Sequence, residues 1–437
     1  MTPSSFARRS SRWAAALAAG IGLTVVIAGC SSGSGGADQA GGYTPPDKNL
    51  TAEITYAFWD ATQQDAIEAN IAGFNEEYPN ITVNLDVTPW EGYWTKVQTQ
   101  ATSNTLPDLF WLNGPNFQLY ASNDKIEPIT SQVDAGLIDP ANYPESLVDL
   151  YNLDGTQYGV PKDFDTIGLW FNTQIFEEAG VDVPTADWKW ADLTAAAQEI
   201  SDSLSDEGIY GVAGGMDGQT TYYNTIFQAG GEVVSDDGTT SGYDSDADRA
   251  GLAFWTDLIA SGASPSMAQL TDAPADQWFT SGKLAMFYGG SWARSAISDS
   301  AVKDVVDVAP LPAGEEQATV IHGVSNVVAS SSKNKQAAQA LQVYLAGKEA
   351  QTQQGDLGAI PAFEGTQSVF ADSYTGVHLQ VYLDATAYAK PLPVSKNTAA
   401  WNAVEAKLLP DVFSGAADVD ATTTDLASQM TALLAKE

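Results

Sequence analysis

Residues 53–114 read EITYAFWDATQQDAIEANIAGFNEEYPNITVNLDVTPWEGYWTKVQTQATSNTLPDLFWLNG, and this stretch decides the fold. Residues 53–59 and 81–87 alternate apolar and polar side chains, which is typical of β-strands, and the apolar run 109–112 predicts a short buried strand. Between these segments, apolar residues recur at helical spacing. Strand, helix, strand, helix, strand predicts a parallel sheet covered by helices, so we expect an α/β fold.

Aromatic and polar side chains follow each of these three strands. Ligands of parallel sheets bind beyond the carboxyl ends of the strands. Trp59 and Trp111 lie at two such ends, Tyr93 lies in the connection after the second strand, and Asn113 follows the third. We therefore expect these four residues at one edge of the sheet. Trp59 and Trp111 could equally be core rings, and the sequence leaves the choice open.

The first 48 residues predict export and a membrane tether. Arginines precede an apolar run over 13–28, which is shorter than the roughly 20 residues that span a bilayer. Ile-Ala-Gly-Cys, ending at Cys30, resembles the bacterial lipobox, so residues 1–29 are interpreted as a signal peptide and Cys30 as the lipidated N-terminus. Two acyl chains give stable anchoring. The alternative is an uncleaved signal anchor, in which Cys30 is an ordinary small residue. Gly, Ser and Pro make 30–48 a flexible linker.

The composition excludes several classes of protein. A net charge of −36 argues against nucleic acid as a partner, which needs clustered Lys and Arg. Cys30 is the single cysteine, so no disulfide can form within the chain. The two histidines, His322 and His378, are far apart, and the sequence predicts no metal site and no cofactor. Residues 49–437 are too many for one ordinary core and enough for two lobes.

Six segments, taken in order, resemble a known family. They are FNEEYPNITVNLD (74–86), PDLFWLNG (107–114), YGVPKDFDTIGLWFN (158–172), GKLAMFYGGSWARS (282–295), PLPAG (310–314) and HGVSNVVASSSKNKQAAQALQVYLAG (322–347). Together they resemble the extracellular solute-binding proteins of carbohydrate ABC importers, the group that includes maltose-binding protein.

This resemblance implies a two-lobed, periplasmic-binding-protein-like α/β fold with a ligand cleft between discontinuous lobes. Lobe one would comprise 49–164 plus 322–360, and lobe two 165–321 plus 361–437. The implied partners are a carbohydrate ligand, which closes the lobes by hinge motion, and the permease subunits of an ABC transporter. We expect a monomer, lipid-anchored on the extracellular side of the cytoplasmic membrane.

The resemblance also implies which residues bind the ligand. Aromatic faces pack on the C–H faces of a sugar, while carboxylates, amides and Arg take its hydroxyls. Besides Trp59, Tyr93, Trp111 and Asn113, the implied residues are Asp163, Asp165, Tyr223, Trp292, Arg294, His322 and Trp401. Maltose-binding protein has an aromatic residue where this chain has Arg294, which would suit a more polar ligand. Each residue has an alternative: the rings could be core, the aspartates could solvate a loop, and Arg294 could pair with an acid.

Two classes of function compete. The first is a binding protein that hands a sugar or oligosaccharide to a permease. The second is a surface glycoside hydrolase with Asp163 and Asp165 as its carboxylate pair. Paired acids are weak support in a chain with 55 acidic residues, so we expect a binding protein and no enzyme. Two alternatives stay open. The ligand could be a non-sugar, such as a glycerol phosphodiester, or the protein could be a sensor that delivers nothing to a permease.

Overall fold

The computed structural model describes residues 43–356 and 358–437. Its strands are β1 (Ala52–Phe58), β2 (Ile81–Val87), β3 (Leu109–Asn113), β4 (Asn152–Leu153), β5 (Thr156–Gln157), β6 (Pro161–Asn172), β7 (Tyr210–Val212), β8 (Leu284–Gly290), β9 (Val306–Ala309), β10 (Thr319–Val328), β11 (Ile360–Pro361) and β12 (Ala389–Pro391). Its α-helices are α1 (Gln64–Glu77), α2 (Trp90–Ser103), α3 (Gly114–Ser122), α4 (Thr130–Asp134), α5 (Glu145–Asp149), α6 (Thr173–Ala179), α7 (Trp190–Leu204), α8 (Tyr223–Gln228), α9 (Asp246–Ala260), α10 (Met267–Asp272), α11 (Ala275–Thr280), α12 (Ala293–Ser298), α13 (Lys335–Leu345), α14 (Lys348–Asp356), α15 (Ser368–Ala371), α16 (Gln380–Asp384), α17 (Thr398–Phe413) and α18 (Val419–Leu434).

Ten strands form one mixed sheet. Its order is β2-β1-β3-β10-β6-β8-β7, with β9 and β11 also pairing with β6 and β12 with β10. Strand β1 runs parallel to β2 and β3, while β10 is antiparallel to both β3 and β6. We call the side with β1, β2 and β3 the first half of the sheet, and the side with β7, β8 and β9 the second half. The predicted parallel strand–helix succession is confirmed for the first half.

Two long strands carry the chain between the halves. Residues 161–166 of β6 pair with β10, whereas 167–172 pair with β8 and β9. The sequence pattern favours strands over 167–172 and 323–329, so the observed β6 and β10 begin earlier than the pattern indicates. In β6 the reason is the pair Lys162 and Asp163, which are buried within the strand and offset each other's charge.

The central strands are covered on both faces. Every residue of β8 and β10 is buried, as expected when helices pack on both sides of a sheet. The first-half core contains Trp111 and helix α13, and the second-half core contains helices α7 and α9. The C-terminal helices α17 and α18 pack on each other and also belong to the second-half core.

The predicted export signal lies outside the described residues. Residues 1–29 and Cys30 have no described structure, and of the predicted linker only 43–48 is described, without helix or strand. Within residues 43–356 and 358–437, no helix is long and apolar enough to cross a membrane.

Candidate ligand-binding site

A cavity of about 730 Å³ lies where the carboxyl ends of the first-half strands meet the second half. The first half contributes Trp59, Asp60, Trp90, Trp111 and Asn113. The strands β6 and β10 contribute Asp163, Asp165 and His322, and the second half contributes residues that include Gln219, Tyr288 and Trp292. Seven of the eleven predicted ligand-binding residues are thus brought together on its wall: Trp59, Trp111, Asn113, Asp163, Asp165, Trp292 and His322.

Five aromatic rings of the first half form what we call the tryptophan cluster: Trp59, Trp90, Tyr93, Trp94 and Trp111, of which Trp59, Trp90 and Trp111 line the cavity. The Trp59 ring is central, and its centroid lies 5.3 Å from that of Trp90 and 5.0 Å from that of Trp111. Both contacts are edge-to-face, a favoured geometry for aromatic pairs. The prediction that three connections deliver aromatic residues to one edge is confirmed. Trp59 and Trp111 both pack in the first-half core and line the cavity, so the two readings were not exclusive.

Tyr93 supports the cluster from behind. Its ring is 1% exposed, and its hydroxyl donates to the main-chain oxygen of Trp111 at 2.8 Å. The Trp111 indole N–H in turn donates to the hydroxyl of Tyr56, also at 2.8 Å. The structure therefore corrects the placement of Tyr93, which does not line the cavity but fixes the position of Trp111.

A buried ion pair lies at the start of β6. The Lys162 ammonium group donates to the Asp163 carboxylate, and it also donates to Gln63 Oε1 at 3.1 Å. Its nitrogen lies 3.8 Å from the centroid of the Trp111 ring, which is a cation–π contact. Burial raises the pKa of Asp163, and the charge of Lys162 partly offsets that rise.

Asp165 lies two residues further along the same strand. The Gln219 side-chain amide donates to its Oδ1 at 2.8 Å, which links β6 to the π-helical turn Gly218–Tyr222. Burial raises the pKa of Asp165 well above its usual value, and the nearby charge of Asp163 raises it further.

His322 lies directly across from Asp165 in the pairing of β10 with β6. Its side chain is 3% exposed, and neither ring nitrogen has a hydrogen-bond partner among the residues that the structure describes. Burial lowers the pKa of His322 to about 3, so the ring is neutral near pH 7.

The second-half wall presents one large exposed ring, that of Trp292. Its side chain is 39% exposed, and its ring lies against Gly290 so closely that an added Cβ there would be 1.9 Å from Cζ3 of Trp292. Glycine at this position therefore permits the orientation of the ring. Nearby, the buried hydroxyl of Tyr288 has no hydrogen-bond partner within the described chain.

The structure places three further predicted residues away from the cavity. Arg294 donates through Nη2 to the main-chain oxygen of Ser373 at 2.6 Å, so it is held by a carbonyl and not by the acid considered from the sequence. Burial lowers the pKa of Arg294. Arg294 does not line the cavity, and its role in ligand binding stays a prediction.

Tyr223 and Trp401 lie outside the cavity because they are buried in the second-half core, and their role in ligand binding stays a prediction. The hydroxyl of Tyr223 donates to both carboxylate oxygens of Glu405, at 3.0 and 2.9 Å. Burial raises the pKa of Glu405 to about 7. Trp401 is 0% exposed, and its indole N–H donates to Ser395 Oγ at 2.9 Å.

Several lining residues were not among the predicted ligand-binding residues: Asp60, Trp90, Asp217, Gln219, Asp276 and Tyr288. Trp90 had a usable signal, because it follows Pro89 after the second strand, at the same edge as Trp59. Gln219 had none, since its position depends on a π-helical turn that no apolar periodicity predicts. The described residues hold no group of three or more His, Cys, Asp or Glu side chains able to bind a metal ion.

The fold and this cavity define a substrate-binding protein. The model of the bacterial extracellular solute-binding protein family matches residues 60–352, and the chain belongs to that family. This confirms the predicted two-lobed α/β fold and the expectation of a solute-binding protein.

Similar proteins come from several bacteria. A diacetylchitobiose binding protein of Streptomyces coelicolor is 25% identical over 366 residues, which cover 79% of this chain and 81% of that protein. An arabinooligosaccharide-binding protein of Halalkalibacterium halodurans is 24% identical over 311 residues, 66% of each. An ABC substrate-binding protein of Listeria monocytogenes, solved in complex with cycloalternan, superposes with a TM-score of 0.82 at 25% identity, covering 88% of this chain and 99% of that one.

Proposed function

We propose that this protein captures a sugar or oligosaccharide in the cavity and delivers it to the permease of an ABC importer. The observation that carries the proposal is the pairing of aromatic faces with polar groups in one cavity. Rings of the tryptophan cluster line one wall, Trp292 the other, and carboxylates lie between them on β6. Rings suit the C–H faces of a pyranose, and carboxylates suit its hydroxyls. The relatives named for oligosaccharides support the same class of ligand.

The same geometry favours binding over hydrolysis. Hydrolysis of a glycosidic bond needs two acids that flank the bond. Asp163 and Asp165 lie on one strand and on one wall, and Asp163 is already paired with Lys162. A general acid and a base or nucleophile would have to lie on opposite sides of the glycosidic bond, which two aspartates on one wall do not provide. The proposed activity is therefore binding without catalysis.

Calorimetry and thermal shift against a panel of mono- and oligosaccharides test this function, followed by analysis of the recovered sugars. We expect at least one saccharide to raise the melting temperature and to be recovered intact. Shorter sugars among the products would show a hydrolase instead. A panel without any binding member would remove the saccharide assignment.

Closure of two lobes is part of the proposal. We propose lobe one as 49–164 plus 322–360 and lobe two as 165–321 plus 361–437. The two crossing strands β6 and β10 are the natural hinge, because they connect the halves of the sheet and border the cavity. Small-angle scattering with and without a bound saccharide would detect the closure.

Trp292→Ala is expected to weaken saccharide binding by about 1–3 kcal/mol, as expected for a partly exposed ring that contacts a ligand. The fold should be little affected, because 39% of the side chain is already exposed. Calorimetry gives the affinity, and thermal unfolding gives the stability. The matched control is Trp188→Ala, a ring that packs on the second-half core outside the cavity and should change stability without changing affinity. Unchanged affinity in the Trp292 variant would assign that ring a structural role.

The tether is proposed from Cys30. Replacing Cys30 with Ala should abolish lipidation, so the protein should leave the membrane fraction for the medium or accumulate unprocessed. Fractionation and mass spectrometry of the N-terminus would detect either result. Saccharide affinity should stay unchanged, since Cys30 precedes the described body. Retention of the processed variant in the membrane fraction would exclude a thioether-linked lipid as the anchor.

A further inference from the structure

The start of β6 carries one more negative charge than positive charge. Lys162 is paired with Asp163, and the amide of Gln354 donates to the same carboxylate at 3.3 Å. Asp165 has the neutral amide of Gln219 as its side-chain donor. With both acids ionised, two carboxylates and one ammonium group give this wall of the cavity a formal net charge of −1.

The rest of the cavity supplies no positive charge to offset it. Among the residues that the structure describes, no lysine or arginine lines the cavity. Its other ionisable wall groups are Asp60, Asp217, Asp276 and the neutral His322. Asp60 and Asp217 already accept hydrogen bonds within turns. Asp60 accepts from the main-chain N–H of Thr62 at 2.9 Å, and Asp217 accepts from that of Thr220 at 2.7 Å.

His322 is an independent sign that a ligand completes this wall. It lies opposite Asp165 in the register of β10 with β6, and its side chain is 3% exposed. Neither ring nitrogen has a hydrogen-bond partner in residues 43–356 and 358–437. A neutral imidazole offers one donor and one acceptor, and buried polar atoms without partners are costly. A bound molecule with polar groups would satisfy the ring where the protein does not.

Asp165 is half-buried, and a carboxylate partly withdrawn from water without a neighbouring cation is stabilised by a proton or by a cation brought from outside. We propose that the ligand of this cavity carries a basic nitrogen, as an amino sugar does, and that its ammonium group binds the carboxylate of Asp165. The inference rests on the proposed function and specifies its class of substrate. An ammonium group makes a charge-assisted hydrogen bond to Asp165, stronger than that of a hydroxyl. An acidic saccharide would meet only like charges.

Matched sugars that differ only in amino groups replacing hydroxyl groups test the inference. The probes are glucose and glucosamine, galactose and galactosamine, and cellobiose and the β-1,4 glucosamine dimer, each titrated by calorimetry at pH 7. In at least one pair, we expect the basic member to bind about tenfold tighter than the neutral member. Asp165→Asn should reduce that ratio to about one. The matched control Asp202→Asn, on an exposed acid of α7 that does not line the cavity, should keep the ratio.

The outcomes separate this inference from the function on which it rests. Binding of neutral saccharides with no preference for the basic members would overturn the inference and leave the proposed function in place. A preference that survives Asp165→Asn would also overturn it. If no saccharide binds, neutral or basic, the proposed function is itself contradicted and the inference falls with it.

Discussion

Replacing Lys162 with Met is expected to lower the free energy of unfolding by about 3–5 kcal/mol near pH 7, because it leaves a buried carboxylate without its cation. The Lys162 side chain is 3% exposed, and its ammonium group contacts Asp163, Gln63 and the Trp111 ring. Methionine fills the volume of the lysine stem but carries no charge. Denaturation in urea would give the loss of stability.

The pH dependence of that loss has a defined sign. Without Lys162, the pKa of Asp163 should rise further, so the folded variant binds a proton more tightly than the unfolded chain does. The loss should therefore shrink as the pH falls and Asp163 becomes neutral. The control is Lys96→Met, which breaks a half-exposed pair with Asp86 and should cost under about 1 kcal/mol. Equal losses for the two variants would show that the Lys162 pair is not structurally important.

Trp401→Ala is the second change with a large expected effect, about 3–5 kcal/mol of unfolding free energy. The ring is fully buried in the second-half core, and its N–H donates to Ser395 Oγ. Removing it leaves a cavity in the core and a hydroxyl without its donor. Since Trp401 does not line the ligand cavity, the affinity for a saccharide should change little in the protein that stays folded.

Trp401→Phe is a useful control, because it keeps most of the ring volume and should recover part of the lost stability. Trp292→Ala should show the opposite pattern, with reduced affinity and preserved stability. Should Trp401→Ala instead abolish binding at unchanged stability, the ligand site would extend into α17, as the resemblance to the family first implied.

The first-half wall of the site was predictable from the sequence because its information is local. The strand–helix–strand succession predicts parallel strands whose carboxyl ends meet at one edge, and Trp59, Trp111 and Asn113 lie at or beside those ends. No knowledge of distant partners was needed. The crossover at the start of β6 was predicted only through the family resemblance. The charged residues Lys162 and Asp163 are not typical of a buried strand, and their pairing cannot be read from the sequence.

Three predicted ligand-binding residues that lie outside the cavity have surroundings that come from far along the chain. Trp401 is buried because α18 and the rest of the second-half core pack around it. Tyr223 is buried in the same core, where its hydroxyl donates a hydrogen bond to Glu405. Arg294 points to a carbonyl 79 residues later. A single sequence contains the residue types of these contacts but does not reveal which of them meet.

The close contact between Gly290 and the ring of Trp292 bears on the entropy of binding. A half-exposed tryptophan normally rotates among several side-chain conformations, and a ligand that covers it must select one. Here the ring already packs against Gly290 through Cζ3, Cε3 and Cη2 in the absence of a ligand. Immobilising a side chain on binding costs roughly 0.5–1.5 kcal/mol. For Trp292, part of this cost therefore falls on folding and not on binding. The exposed ring is thus pre-organised for whatever the cavity binds.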